Sequence, residues 1–308
     1  MIPAHDCFEP VAITAAGMRL RAARFASDPA AAPRGTCVLL NGQTEFIEKY
    51  FEVIDELRGR GFAVATLDWR GQGDSGRLVP QEPLKGHIDD FAEYEADLEA
   101  LMDQMVAPML ASGERPAALA HSMGGHILLR YLSRHPGRFK AAAFSAPMLV
   151  FSTRGQPRWL VRLLTAAMTG AGRGRDFVWG MAARDPLRLS FADQIVTSDA
   201  ARFQRTKEFL TRHPQLRLAG PTWGWVAAAY RSQAELGRRA GQIATPALIC
   251  GAGHDRVCVS AAARHFAARM PHGRYLEIEN SQHEILNERD VIRAQFWQAF
   301  DAFMAEQK

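Results

Sequence analysis

Between Met18 and about Leu149, short apolar runs of strand length alternate with segments whose apolar residues recur at three- and four-residue spacings. Only a parallel β-sheet covered on both faces by crossover helices satisfies that alternation, so all-α and all-β folds are excluded. A hairpin is expected around Val11 to Phe25, followed by a buried strand over Thr36–Gly42. A helix over Ile47–Gly61, stopped by Gly61, leads to a strand over Phe62–Trp69 and a helix over Phe91–Val106. The strand Ala117–Ala120 runs straight into Ser122 and a helix from Met123 to about His135, and Phe139–Ala146 is a further strand. After Pro147 the pattern changes to helical pieces with two Gly-rich breaks and little β-branched alternation. Strand and helix resume at Pro246–Gly251, near Ser260–Met270, at Tyr275–Ile278 and from about Glu284 to Glu306. The expected fold class is therefore α/β, a mostly parallel central sheet flanked by helices. Residues 1–147 and 238–308 are expected to form the core and residues 148–237 an inserted helical cap.

Composition removes several function classes. A hydrophobic fraction of 47% and a charged fraction of 23% exclude a disordered or disulfide-knot chain. The net charge of +4 is mild, and the only local basic runs are arginines of one middle segment, so nucleic acid is not an expected partner. Cys7, Cys37, Cys250 and Cys258 lack CxxC spacing and read as reduced, buried thiols. There is no HExxH or comparable ligand cluster, and no metal or other cofactor is expected. No run approaches the roughly 18 apolar residues of a membrane span, and the start of the chain lacks a basic-then-apolar leader, so a cytoplasmic location is expected.

Ala120-His-Ser-Met-Gly-Gly125 lies between a predicted strand and a predicted helix. A serine held on so sharp a turn adopts a strained backbone, and only small neighbours allow strand and helix to approach. Ala120 stands where the G-x-S-x-G pattern has its first glycine, and its single methyl still permits that approach. The alternative is an ordinary serine N-cap followed by glycines.

Three further segments accompany this one in order: Leu39-Leu-Asn-Gly-Gln-Thr-Glu-Phe-Ile-Glu-Lys-Tyr50, Asp68-Trp-Arg-Gly-Gln-Gly-Asp-Ser75 and Ser281-Gln-His-Glu-Ile285. Together the four resemble the α/β-hydrolase superfamily, specifically its bacterial lysophospholipase and monoacylglycerol lipase branch, over nearly the whole chain. The resemblance implies an α/β-hydrolase fold and a Ser, then Asp, then His order of catalytic residues. Ser122 is then the nucleophile. Asp255 follows the predicted strand ending near Cys250 and would orient the base, and His283 follows the next strand and would be that base. His254 is the rival base and Asp199 the rival acid, whereas His121 should point away from its neighbour Ser122.

An oxyanion formed during acyl transfer needs preorganised N–H donors. Met123, next to the nucleophile at a helix start, supplies one, and the resemblance places the other at Gln43. Where the family commonly has His-Gly this chain has Asn41-Gly42, and Asn41 is read as a replacement brace for the loop. Asp68–Ser75 should shape a glycine-rich loop near the site. By resemblance Glu45 and Lys49 meet the polar end of a substrate, while residue spacing alone reads them as a solvated i, i+4 ion pair.

Charge is unevenly distributed. From Met148 to Gly220 twelve basic residues face five acidic ones, a net +7, so the remainder of the chain carries −3 of the +4 total. Within this segment Trp159, Leu160, Leu163, Leu164, Ala167 and Met168 interleave with Arg158 and Arg162. Such a helix either packs on the sheet edge with a solvated arginine face, or gates a lipid tunnel or rests weakly on an anionic membrane. Trp159 and Leu163 are its candidate substrate contacts.

The expected activity is that of a cofactor-free serine hydrolase acting on carboxylic esters of single-chain lipids. The same fold and residues would also serve a general carboxylesterase or a proline-type aminopeptidase. Outside the enzyme class, the alternative is a hydrolase-fold protein that binds a small apolar ligand.

Overall fold

The computed structural model describes residues 8–153 and 155–307. Cys7, and Arg154 among the twelve basic residues counted above, lie outside them. In chain order the strands are β1 (Pro10–Ala15), β2 (Met18–Phe25), β3 (Thr36–Leu40), β4 (Ala63–Leu67), β5 (Lys85–Gly86), β6 (Ala117–His121), β7 (Ala141–Ser145), β8 (Gly220–Pro221), β9 (Ala247–Ala252) and β10 (Gly273–Ile278). The helices are α1 (Phe51–Gly59), α2 (Ala92–Leu101), α3 (Ser122–Arg134), α4 (Arg158–Gly170), α5 (Ala200–Arg212), α6 (Trp223–Gly237), α7 (Ser260–Ala267) and α8 (Asp290–Ala305).

Eight strands form one sheet in the order β1-β2-β4-β3-β6-β7-β9-β10. β2 is antiparallel to both β1 and β4, and every pairing from β4 to β10 is parallel. This is an α/β-hydrolase arrangement. β3, β6, β7 and β9 are buried at every position, which is why they read as continuous apolar runs rather than as alternation. Two large apolar clusters fill the space on the two faces. One joins Leu40, Phe91, Ile127 and Phe144 to Trp225 and Ala229 of α6, and the other joins Leu39, Ile54 and Phe62 to Phe296 and Phe300 of α8.

Two helices start four or more residues later than predicted. Ile47–Tyr50 is a 3₁₀ turn that precedes α1, and the Ile47 N–H donates to the buried Asp68 carboxylate at 2.9 Å. The last helix begins only at Asp290, after a 3₁₀ turn at Ile285–Asn287. The Glu288 carboxylate is fully buried and accepts from the N–H groups of Gln282 and Ser198, which holds the chain extended ahead of α8. His283 consequently stays on a loop.

The segment between β7 and β9 carries α4, α5 and α6 and is tied to the sheet domain by polar contacts. β8 pairs with β5. Arg202 of α5 binds Glu52 of α1 and Asp290 of α8, and Arg205 also reaches Glu52. Two of the twelve basic residues of this segment are therefore spent on carboxylates of the core.

Candidate active site

The strand-to-helix turn at the end of β6 places Ser122 at a φ of +48°, in the left-handed region that side chains rarely occupy. Close packing enforces it. A Cβ on Gly124 would lie 2.5 Å from the Asn41 carbonyl oxygen and 2.7 Å from that of Leu40. These are main-chain atoms at the end of β3, so they cannot rotate away. Gly124→Ala is expected to cost about 2 kcal/mol of stability through overpacking and to lower activity by displacing the Asn41–Gln43 loop. A urea midpoint unchanged from wild type would contradict it.

Three elements that end at the same edge of the sheet bring the predicted residues together. The Ser122 Oγ is 2.9 Å from His283 Nε2, and His283 Nδ1 donates to Asp255 Oδ2 at 2.8 Å. The other Asp255 oxygen accepts from the N–H groups of Val257 and Cys258, each at 2.8 Å. Burial would push the Asp255 carboxyl up, but His283 and those two N–H groups outweigh it and hold it below its usual value. Since a carboxylate only accepts, His283 Nδ1 carries the proton and Nε2 is left to accept from Ser122. Of the rivals, the His254 side chain is exposed, and Asp199 caps α5 by accepting from the Arg202 N–H.

The loop after β3 presents the second group of predicted residues. The Gly42 N–H is held by Glu45 Oε2 at 2.5 Å and the Thr44 N–H by Gln72 Oε1 at 3.3 Å. The Gln43 N–H between them has no partner among the described residues. Met123, second residue of α3, offers a first-turn N–H that no helical carbonyl can reach. Asn41 does brace the loop: its Nδ2 donates to the Leu67 carbonyl, and its own carbonyl accepts from Trp69 Nε1, both at 2.9 Å. Gln72, from the glycine-rich loop, adds a bond of 2.7 Å to the Gly42 carbonyl. Sequence reading had no reason to single out Gln72, because its contribution depends on a loop 30 residues away.

Glu45 and Lys49 are not a solvated pair. Lys49 Nζ bonds Glu45 at 2.8 Å and Glu284 at 2.7 Å, with all three side chains largely buried. Burial opposes ionisation of Glu45, but Lys49 and His121 overcome it and hold the carboxyl at about 2. The same two carboxylates raise the Lys49 ammonium above its usual value despite burial. The pair links the Gly42 loop to the residue after His283. The His121 ring lies tilted against His283, with centroids 4.9 Å apart and planes at 54°, and its Nδ1 donates to the Ser145 carbonyl. Burial, with His283 and Lys49 nearby, pushes it down to about 4, so it is neutral at pH 7.

A cavity of about 550 Å³ opens on Ser122, His283 and Gln43 and is walled by Met148, Phe151, Val161, Leu164, Trp223, Trp225 and Val226. Its size and apolar lining suit an organic ligand. Trp159 and Leu163 are not part of it. They are 68% and 60% exposed, because α4 is apolar on two sides and its buried stripe runs through Val161, Leu164, Thr165 and Met168. Cys258, which sequence spacing did not flag, sits at the relay. Asp255, Cys258 and His283 are the one group of three potential metal ligands among the described residues, their ligand atoms within 4.8 Å of one another. The Asp255 and His283 atoms are already committed to hydrogen bonds, and burial followed by Asp255 pushes the Cys258 thiol well above its usual value. The group therefore does not present thiolate and free imidazole to a metal.

Residues 31–290 match a hydrolase family described as serine aminopeptidase, S33. Over 267 residues the chain is 35% identical to lysophospholipase L2 of Escherichia coli strain K12, covering 83% of this chain and 76% of that protein. A shorter match, 33% over 119 residues, is to a monoacylglycerol lipase of Mycolicibacterium smegmatis, covering 37% of this chain and 38% of the other. Among solved structures, a soluble variant of monoglyceride lipase from Saccharomyces cerevisiae in complex with a substrate analogue superposes with a TM-score of 0.77. That match has 17% identity and covers 100% of this chain and 98% of the other.

Proposed function

The chain belongs to the serine aminopeptidase S33 family of α/β-hydrolases, and we propose that it hydrolyses carboxylic esters of single-chain lipids through an acyl-enzyme on Ser122. The observation that carries this reading is the Ser122–His283–Asp255 relay opening on a large apolar chamber. Ser122 Oγ attacks the ester carbonyl while His283 Nε2 takes its proton. The N–H groups of Gln43 and Met123 receive the oxyanion. The imidazolium then protonates the leaving alcohol as the carbonyl–oxygen bond breaks, and water, deprotonated by His283, releases the fatty acid from the ester on Ser122. Residues 148–237 act as the cap that walls the acyl chain, over a core of 1–147 and 238–308. The curated relatives are named lysophospholipases and monoacylglycerol lipases, which accords with a lipid ester.

The lining of the chamber favours this reading over a peptidase. A substrate ammonium needs a carboxylate oxygen free to receive it, and the oxygens of Glu45 and Glu284 already accept from Lys49, the Gly42 N–H, Tyr50 and Asn287. Burst release of p-nitrophenol from a short acyl ester tests the acyl-enzyme directly, with the outcome set out in the Discussion. A ligand-binding protein of the same fold would give no burst.

Among the described residues no helix is long and apolar enough to cross a membrane. The outer side of α4 presents Trp159, Leu160 and Leu163 to solvent beside Arg158 and Arg162, an arrangement suited to shallow contact with an anionic bilayer. Flotation with anionic vesicles is expected to recover more protein than with neutral ones, and raising salt should reduce the difference. Equal recovery from both would refute that contact.

A further inference from the structure

A second cavity of about 180 Å³ adjoins the catalytic chamber, and the two share Thr44, Arg184, Val196, Ala219 and Glu284 as walls. Both linings are mainly apolar, and both include Arg184 and Glu284. The smaller adds three cations, Lys49, Arg202 and Lys207, and no further carboxylate.

Two of those cations are neutralised inside the protein. Lys49 is held by Glu45 and Glu284, and Arg202 by Glu52, Asp199 and Asp290. Lys207 differs. Its ammonium donates at 2.7 Å to the Leu189 carbonyl, and it has no carboxylate partner among the described residues. An ammonium has three donors, so two remain for an incoming group. In a half-enclosed cavity, a cation without a counter-charge creates a favourable potential for an anion.

We propose, resting on the ester-hydrolase reading above, that this cavity receives the phosphate of the leaving alcohol, with Lys207 as its principal cation. The substrate class is then a single-chain glycerophospholipid in preference to a neutral monoacylglycerol. With the ester at Ser122 and the acyl chain among Val161, Leu164 and Trp225, the glycerol backbone passes Thr44 and the phosphodiester meets Lys207. Arg184, on the shared wall, lies at the threshold between the two spaces.

The experiment compares kcat/KM for 1-palmitoyl lysophosphatidylglycerol with that for 1-palmitoylglycerol in the wild type, Lys207→Glu, Lys207→Met and Lys207→Arg. Calorimetric binding of glycerol 3-phosphate and of inorganic phosphate is measured on the same four proteins. The phospholipid-to-monoacylglycerol ratio is expected to fall about tenfold or more in Lys207→Glu and Lys207→Met and to be largely kept in Lys207→Arg. Glycerol 3-phosphate binding should weaken in parallel. An unchanged ratio overturns the proposal, as does inorganic phosphate binding as tightly as glycerol 3-phosphate, which would mark a free-anion site. If the wild type cleaves neither lipid, the ester-lipid reading fails separately. Calorimetry then still decides the anion site, because glycerol 3-phosphate binding that is insensitive to Lys207→Glu rules it out.

Discussion

Ser122→Ala is expected to lower kcat for ester hydrolysis by at least about 10⁴-fold, to abolish the p-nitrophenol burst and to abolish labelling by a fluorophosphonate probe, while leaving the fold intact. The hydroxyl bonds His283 Nε2 and meets the Cys258 thiol, so its removal unbinds no structural element. Alanine accepts the +48° φ of this turn about as well as serine does. The N–H donors at Gln43 and Met123 also survive, which is why a residue of catalysis above the uncatalysed rate should remain. A variant that still labels and still bursts would move the nucleophile elsewhere and dismantle the proposed mechanism.

Asp255→Asn is expected to cost on the order of 10⁴ in kcat, with little change in Tm, by reversing a tautomer. The backbone N–H groups of Val257 and Cys258 both point at Oδ1, so an asparagine will turn its oxygen to them. Its NH₂ then faces His283 Nδ1, where it can only donate. The imidazole proton is driven to Nε2, and that atom can no longer accept from Ser122. The side chain keeps its volume and most of its hydrogen bonds, so a thermal melt reports on folding separately from the rate. A loss of less than about tenfold would mean that His283 is oriented by some other group.

How much of this site was legible beforehand varies with how local its determinants are. Ser122 could be read because a strand, a small-residue turn and a helix follow one another within a dozen residues. Asp255 and His283 could be read, given the resemblance, because each follows a strand of the parallel sheet, and parallel strands end at one edge. Gln43 and Met123 were named from their motifs, and their N–H groups have no partner among the described residues. The environment of Glu45 and Lys49 was another matter. Their spacing is that of any solvated helical pair, and only the approach of Glu284, some 235 residues later, encloses them.

α4 illustrates the limit in another way. Trp159, Leu163, Leu164 and Met168 were equivalent as apolar residues at helical spacing, yet the first two face water and the last two face the protein. Periodicity says that a helix has an apolar side. It does not say which side when there are two, because the choice is made by whatever packs against it, here α6 and the chamber. The cap's charge followed the same course: the +7 read from residues 148–220 suggested a basic outer surface, but Arg202 and Arg205 spend theirs on Glu52 and Asp290 of the core.

The sequence by itself determined the α/β class, the order of the elements and the residues from which the site is built, since hydrophobic period, turn chemistry and short motifs act over a few neighbours. Tertiary structure alone decided which charges are neutralised, which face of α4 is buried, and that Lys207 meets a main-chain carbonyl and no carboxylate among the described residues. Those outcomes depend on groups distant in the chain meeting in a low-dielectric space, and no local pattern encodes which of them will meet.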